Sequence, residues 1–304
     1  MTKLEIKELN LGDRIKQYES QCETTIPKES HLIVRIDGHH FSSFTKGFNK
    51  PFDTALSNAM VSTAKDLHNR FNAYSSYSQS DEIALFIPSL VSESKAKGFW
   101  EHQFGGRAHK ICSLIAAYTT MQFNKHLEEE FQKELNFHIE CFEDSFRRTT
   151  EEDESSKKLR RFQNKIGNAY FDARCFGVNN LEEVFNVFMF RGRDCIKNSK
   201  SIFAQSAVSH QELQGKNGEE QIQYTLAKTG KDWNLIEDRY KYGALIKKEL
   251  YQKPIDFRDL EYSDRSKYKK DDHPTCTRSR LVELNTPLNS FSTELVDLIS
   301  RQYL

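Results

Sequence analysis

The sequence predicts an α+β fold, in which short strands form a sheet that helices cover. Residues 31–36 are a short apolar run rich in β-branched side chains, which indicates a buried strand. Residues 54–72 place apolar side chains three and four positions apart, as a helix lying on a sheet does. Residues 73–88 contain two more short strands. This part of the chain therefore has the order strand, helix, strand, strand.

The rest of the chain continues the mixture of helices and strands. The expected elements are a short amphipathic helix before residue 31, a long helix over 107–125, a strand within 168–178, two helices over 179–208 separated by Gly192, a strand within 239–250 and a final helix within 292–302. Residues 143–165 are acidic and then basic with few large apolar groups, so we expect them to contribute little to the core. No linker divides the chain firmly into domains.

Charge and composition exclude several classes of protein. The 44 lysines and arginines balance 44 aspartates and glutamates, so a polyanion must bind at local basic patches and not through an overall positive field. No run of about 18 apolar residues occurs, which argues against a transmembrane helix. The six cysteines lie far apart without a C-x-x-C pair, as in a protein with reduced thiols. The N-terminus has no apolar signal region, so we expect a cytoplasmic protein, with mitochondria as the alternative compartment.

Two acidic residues stand at the ends of predicted strands. Asp37 ends the strand at 31–36 and is followed by Gly38, and Asp81 directly precedes the apolar run of a later strand. If the two strands are neighbours, both carboxylates project at one end of the sheet and repel each other unless a cation lies between them. Mg²⁺ suits such a site, and a pair of these ions assists phosphoryl-type transfer. Gly38 would let the backbone approach a metal or phosphate closely.

A purely structural interpretation of the same residues stays open at this point. Asp37 and Gly38 also suit a turn, and Ser80 and Asp81 also suit an N-cap. The two acidic motifs together, 44 residues apart across a predicted helix, are what raise the metal-site hypothesis.

Cations that suit a triphosphate follow the acids. Lys50 comes after the Asp37 segment, and Arg107 and Lys110 open the predicted long helix. Residues three apart share a helix face, and the free amides of a helix N-terminus favour anions. A solvated first turn is the alternative interpretation. His39 and His40 are adjacent, so their side chains diverge and we do not expect them to ligate one metal together.

In chain order, these motifs resemble the tRNA-His guanylyltransferase family and its Thg1-like relatives, the 3′–5′ polymerases. The matching stretches, between about residues 6 and 251, are RIDGHHFSSF, KPFD, SQSDEIALF, GGRAHK, AYFDAR, RGRDCIKNS, LQGK and YKYGALI. The resemblance implies a polymerase palm-like antiparallel sheet flanked by helices, with a helical and β extension. It also implies two Mg²⁺ ions, with ATP, GTP and other nucleoside triphosphates as substrates.

The resemblance implies an organisation and a set of site residues. The catalytic core would span 1–140 and 166–253, interrupted by a charged mobile insertion at 141–165 and followed by a tail with a short helix at 254–304. The implied metal ligands are Asp37, the Gly38 carbonyl and Asp81, with Glu82 as a further catalytic acid. The implied nucleotide-binding residues are Asp37, Gly38, His39, His40, Phe41, Ser42, Lys50, Asp53, Ser80, Arg107 and Lys110. The implied RNA-binding residues are Arg174, Lys197 and Asn198.

The implied reaction has two steps. ATP or GTP first activates a 5′-monophosphorylated tRNA, and the 3′-OH of an incoming nucleoside triphosphate then attacks that 5′ phosphate. The protein would supply positioning and charge neutralisation.

This chain departs from the family pattern at three places. Relatives that add one G to tRNA-His carry His-Ile-Asn-Asn after Asp-Cys, whereas residues 196–199 are Ile-Lys-Asn-Ser. Ser42 stands where those enzymes have histidine, and Ala173 replaces the glycine of their Phe-Asp-Gly-Arg motif. The first two departures favour the Thg1-like group, which adds template-matched nucleotides to 5′-truncated tRNA.

The alternative functions are tRNA-His guanylylation that tolerates the altered motif and, in another class, non-catalytic tRNA binding. A palm-type nucleotide cyclase is a more distant alternative. The expected partners are tRNA and nucleoside triphosphates, with no membrane, and the resemblance implies a homo-oligomer, a tetramer. Basic stretches at 157–161 and 265–270 are candidate RNA contacts, although solvated surface is the alternative interpretation of each.

Overall fold

The protein folds around one six-stranded antiparallel sheet, which confirms the α+β prediction. The computed structural model describes residues 10–88, 102–143, 154–255 and 275–304. The strands are β1 (His31–Gly38), β2 (Ser75–Gln79), β3 (Glu82–Ile87), β4 (Phe171–Val178), β5 (Ala244–Pro254) and β6 (Thr275–Leu284). Their order across the sheet is β4-β1-β3-β2-β5-β6, and every neighbouring pair is antiparallel.

Helices cover both faces of this sheet. They are α1 (Leu11–Ser20), α2 (Phe41–Phe44), α3 (Thr54–Arg70), α4 (Ala108–Glu143), α5 (Glu154–Gln163), α6 (Leu181–Ala207), α7 (His210–Leu213), α8 (Gly218–Thr229), α9 (Asp238–Tyr242) and α10 (Thr293–Ser300). In the described part of the chain, none of them is both long and apolar enough to cross a membrane.

Alternation along β1 explains why its sequence is almost continuously apolar. Leu32, Val34 and Ile36 belong to the core beneath α3 and α4, whereas Ile33 belongs to a second core with α6 and α10. Because successive side chains of a strand point to opposite faces, a strand covered on both faces needs apolar residues at every position. The polar residue Arg35 appears only where the second face approaches the end of β1.

The prediction of two helices separated by Gly192 is wrong, because residues 181–207 form the single helix α6. Gly192 is buried inside this helix, and a Cβ built there would lie 2.4 Å from the backbone oxygen of Leu288. The glycine therefore serves a close packing contact with the C-terminal segment and does not end the helix.

The expectation that residues 143–165 contribute little to the core is wrong for their second half. Residues 154–163 form α5, and the side chain of Phe162 is only 3% exposed. Its ring contacts Phe131 on α4 and Phe48 after α2, with centroid distances of 5.3 and 5.0 Å. Phe162, together with the partly buried Leu159, thus docks a helix whose other residues are mostly charged. Residues 144–153 lie outside the described part.

The sequence analysis also missed strand β6 in the C-terminal tail. This edge strand pairs with β5 over ten residue pairs, from Leu245–Leu284 to Pro254–Thr275. Most of its first half is exposed, with Arg278 and Arg280 among its side chains. A strand that buries so little has no strong apolar alternation, so its sequence resembles a polar loop.

Candidate active site

Strand register brings the predicted acids together at one end of the sheet. β1 lies between β3 and β4, and Asp37 is paired with Glu82 on one side and with Asp172 on the other. The backbone N–H of Gly38 donates to the Asp81 carbonyl oxygen, at 3.0 Å. The prediction that the strands of Asp37 and Asp81 are neighbours is therefore confirmed.

Ser80 and Asp81 form the tight turn between β2 and β3. Ser80 adopts a left-handed conformation with φ of 48°, which a two-residue hairpin requires. The alternative that these residues cap a helix is therefore not what the structure shows.

Burial and like charges act together on the two carboxyl groups. Burial raises the pKa of Asp81, and the neighbouring carboxylates of Asp37 and Glu82 raise it further, against hydrogen bonds from its own backbone and from Ser80. Burial also raises the pKa of Asp37, opposed by the Arg35 guanidinium and supported by Glu82 and Asp172. The site therefore favours an added cation, which would relieve this repulsion.

Glu82 is held differently from the two aspartates. Its Oε1 accepts from Arg35 Nε at 2.6 Å, and Arg191 Nη1 donates to both of its carboxylate oxygens, at 3.0 and 3.2 Å. Arg35 Nη2 also donates to Asp37 Oδ2, at 3.3 Å. Glu82 thus aligns an arginine that touches Asp37, and its oxygens are already occupied by cations. Sequence analysis missed Arg191, although the residue lies in the RGRD stretch that carried the resemblance.

Packing also requires a glycine at position 38, in addition to the predicted close approach of a metal or phosphate. A Cβ built on Gly38 would lie 2.3 Å from Cδ2 of Phe41, whose ring therefore covers the backbone at this point. Phe41 in turn packs against Phe44, Phe123 and Phe171, with centroid distances of 4.9, 5.5 and 5.1 Å. The start of α2 is in this way fixed directly beside the acids.

A cleft of about 570 Å³ opens beside Asp81. Residues of the α2–α3 connection, α3, the β2–β3 turn, α6 and α9 line it. The predicted site residues among them are Phe41, Ser42, Lys50, Asp53, Ser80, Asp81 and Asn198. Its size lies within the range of small-molecule sites.

Asp53 supports the wall of the cleft that carries Lys50. Its carboxylate accepts from the backbone N–H groups of Leu56, at 3.1 Å, and Asn49, at 2.9 Å. Asp53 therefore caps the N-terminus of α3 and holds the preceding loop in place. Only 8% of the residue is exposed, whereas Lys50 is exposed at the rim.

Arg107 and Lys110 lie apart from these acids within one chain. The Cys175 thiol donates to the Ala108 carbonyl at the start of α4, whereas the Phe171 N–H, beside the Asp37 end, donates to Thr120 Oγ1. Ala108 and Thr120 are separated by about 18 Å along the axis of α4. The structure therefore does not bring the two cations to the acidic end of the same chain.

Four other predicted residues do not belong to the cleft wall. His39 and His40 are exposed, with ring centroids 4.2 Å apart, and Arg174 and Lys197 are exposed on β4 and α6. Several lining residues were not predicted because they come from distant helices, and these are Gln205, Ser206, Arg239 and Tyr240. Asn49, directly before Lys50, was not predicted either.

The donor set fits magnesium. Asp37, Asp81 and the Gly38 carbonyl offer only oxygen atoms, which are the ligands Mg²⁺ prefers, and Mg²⁺ commonly uses one or two carboxylates with substrate phosphates. Among the described residues, no group of three or more His, Cys, Asp and Glu side chains forms a complete metal cage. An ion at this site would therefore complete its coordination with oxygen atoms of water or a substrate.

Comparison with solved structures defines the class of protein. A bacterial tRNA(His) guanylyltransferase (Thg1)-like protein in complex with ATP matches 79% of this chain and 87% of its own, with 29% identity and a TM-score of 0.63. The same kind of protein in complex with GTP matches 95% and 99%, with 27% identity and a TM-score of 0.64. The fold confirms the palm-like expectation, and the chain is a nucleotidyltransferase.

The family follows from the sequence matches. The model of the family described as Thg1, tRNAHis guanylyltransferase, matches residues 12–179. An uncharacterised protein, R259, of Acanthamoeba polyphaga mimivirus is 32% identical over 244 residues, which are 79% of this chain and 77% of that protein. This chain belongs to the tRNA-His guanylyltransferase family.

Proposed function

We propose that this protein adds template-matched nucleotides to the 5′ end of tRNA, in the 3′–5′ direction, after ATP- or GTP-dependent activation of the 5′ phosphate. The observation that carries the proposal is the placement of Asp37 and Asp81 at one end of the sheet, beside a cleft of about 570 Å³. Two converging carboxylates that repel each other serve a cation-dependent reaction, whereas a protein that only binds tRNA has no need for them.

Some residues of the site would bind the metal ion, and others would position the substrate. Asp37, the Gly38 carbonyl and Asp81 would hold Mg²⁺, which when bound stabilises attacking and leaving oxygens. Arg35, aligned by Glu82, keeps the Asp37 carboxylate in place.

The nucleotide itself would enter the cleft, where Lys50 at the rim can neutralise phosphate charge. The 3′-hydroxyl oxygen of the incoming nucleotide then forms a bond to the activated 5′ phosphorus, and the bond to the nucleoside monophosphate leaving group breaks.

Two positions support 5′-end repair over guanylylation of tRNA-His. Ser42 and Ser199 both line the cleft, and they stand where the G-adding enzymes have a histidine and the last asparagine of His-Ile-Asn-Asn, respectively. A cleft wall altered at these points would place the incoming base by pairing with the opposite RNA strand.

The test uses a 5′-³²P-monophosphorylated tRNA that lacks its first nucleotide, with ATP, Mg²⁺ and each nucleoside triphosphate in turn. We expect extension only by the nucleotide that pairs with the opposite strand, and no extension by Asp81→Ala. Parallel reactions contain full-length tRNA-His. Addition of G to that tRNA regardless of pairing would instead establish guanylylation, and binding of both tRNAs without extension would refute the enzymatic proposal.

Two expectations stay predictions. Arg107 and Lys110 would meet a triphosphate bound to the acids only if another copy of the chain brings them there, and the tetramer is likewise a prediction.

A further inference from the structure

A concentration of positive charge borders the cleft. The α5 platform consists of Lys46, Lys50, Lys157, Lys158, Arg160, Arg161 and Lys165. Its two parts, residues 45–52 and 157–165, contain no Asp or Glu, although lysine plus arginine and aspartate plus glutamate balance in the whole chain. Such local clustering in a neutral protein is the pattern that a polyanion partner requires.

Aromatic packing makes the two parts one surface. Phe48 lies between the two lysines of the first part and packs on Phe162 of α5, with ring centroids 5.0 Å apart. The Arg161 side chain passes Gly47, with its Cδ 3.4 Å from the point where a Cβ would lie. At the far end, Lys165 Nζ donates to the Ser43 carbonyl, at 3.4 Å.

The platform is continuous with the cleft, because Phe48, Asn49 and Lys50 belong to the cleft wall. A strand lying across α5 would therefore lead to the rim beside Lys50. The part of α5 from Lys157 to Gln163 is about 9 Å long, which is enough for more than one phosphate of a strand to contact its cations.

Three of the seven platform cations have side chains without a partner in the described part of the chain. Lys158 Nζ lies 2.6 Å from Glu134 Oε1. In contrast, the side chains of Lys46, Lys50 and Arg161 make no ion pair or hydrogen bond with any other described residue. Their positive potential is therefore open to a partner in solvent.

We infer that the α5 platform binds the phosphate backbone of the RNA whose 5′ end enters the cleft. This inference rests on the proposed function, since it names the route by which the tRNA reaches that site. A nucleotide triphosphate is the other phosphate source that the same cations suit, and kinetics separate the two.

The experiment compares the double variant Lys46→Gln/Arg161→Gln with wild type. Binding of the truncated tRNA is measured by fluorescence anisotropy without nucleotides, at about 50 to 300 mM salt. Loss of two phosphate contacts should lower the slope of log K against log salt concentration by about 1.5 and weaken binding about tenfold at 150 mM salt. The KM for the incoming nucleotide, measured at saturating tRNA, should not change.

The matched control is Arg14→Gln/Lys16→Gln on α1, which removes the same two residue types from another helix. Its salt slope should equal that of wild type. An unchanged slope in the platform variant, or an equal loss in both variants, would refute the inference. A raised KM for the nucleotide with unchanged tRNA binding would assign the platform to the triphosphate and refute it as well.

Failure of this inference is distinguishable from failure of the proposed function. Wild-type protein that extends tRNA while the platform variant binds it normally would refute only the platform. Wild-type protein that binds tRNA through the platform but never extends it would refute only the proposed reaction.

Discussion

At the Asp37 end of β1, the carboxylates of Asp37 and Asp81 lie close to each other and to Glu82, and burial with like charge raises the pKa of both aspartates. On β5, the ammonium group of Lys247 is fully buried and donates to the Tyr74 carbonyl, at 2.8 Å, and to two further oxygens. The aspartate carboxylates and the lysine ammonium are all costly to bury in their ionised forms.

The difference lies in how each charge is accommodated. The oxygens around Lys247 belong to Tyr74, Ser75 and Arg301, so the lysine ties the end of α10 to the sheet and its hydrogen bonds are complete within the protein. The two aspartates keep repulsion that only an added cation would remove. The first arrangement gives a buried ion a full set of hydrogen-bond acceptors inside the protein, whereas the second is typical of a functional site, where unrelieved repulsion is retained for chemistry.

The largest expected effect comes from Asp81→Asn. Activity should fall about 10³-fold, because metal-assisted stabilisation of a phosphoryl transfer is worth several kcal/mol. The melting temperature at pH 7 should rise, since the raised pKa means that the ionised carboxylate destabilises the folded state above that pKa. Single-turnover extension and calorimetry measure the two quantities.

Glu128→Gln on α4 is the control, because it removes an exposed carboxylate outside the site. It should change neither activity nor melting temperature. A lower melting temperature for Asp81→Asn would show that the acid stabilises the fold, and the contrast with Lys247 would then be lost.

The next largest effect is expected from Gly38→Ala. This variant should lose about 2 kcal/mol in the free energy of unfolding, because the new Cβ would overlap the Phe41 ring. Urea unfolding measures this loss. Replacing the Phe41 ring with a smaller side chain should relieve the overlap. Phe41→Leu should therefore cost less stability in the Gly38→Ala background than in wild type. Additive losses would instead show that the glycine is needed for its backbone alone.

Lys247→Met tests the other side of the comparison. Burial lowers the pKa of Lys247 to about 7, so between that pH and about 10.4 the unfolded chain binds more protons than the folded one. Wild-type stability should therefore contain a component that rises with pH in this range, by at most about 1.4 kcal/mol per pH unit. The variant should lack it.

Lys253→Met, which changes an exposed lysine of the same strand, is the matched control for urea titrations at several pH values. Its pH profile should follow that of wild type. Neither variant should alter the extension rate at saturating substrate, and a loss of activity in Lys247→Met would contradict a purely structural role.

A second pH-dependent component of stability should come from His68. Burial, with lesser effects of Lys248 and Lys247, lowers its pKa to about 3, and Nδ1 has Ser76 Oγ as its partner at 3.0 Å. Wild-type stability should fall as the pH decreases below about 6.5, because only the unfolded histidine takes up a proton there. His68→Leu should show a shallower fall between pH 6.5 and 4, and an unchanged profile would assign acid sensitivity to the carboxylates.

Local patterns were sufficient for much of the fold and for the acids of the site. The apolar run at 31–36, the helical spacing of 54–72 and the two short strands within 73–88 are short-range signals, and each produced the element expected. Asp37 and Asp81 were found because both interrupt or precede apolar strands. Strong hydrophobic periodicity determines such elements almost independently of their surroundings.

Long-range contacts decided the rest. Gly192 continues a helix because Leu288 packs against it, and α5 is docked by Phe162 and Leu159 in a charged segment. The salt bridges of Glu82 to Arg35 and Arg191 join residues far apart in sequence.

The sequence by itself therefore determined the α+β class, the central strands and the two aspartates. Only the tertiary structure decided that Glu82 is held by two arginines, that Arg107 and Lys110 lie at the other end of the sheet, and that the basic residues of α5 border the cleft. The physical reason is that periodicity and turn chemistry act between neighbours along the chain. Electrostatic pairing and close packing, in contrast, depend on distances that exist only after the sheet and helices have assembled.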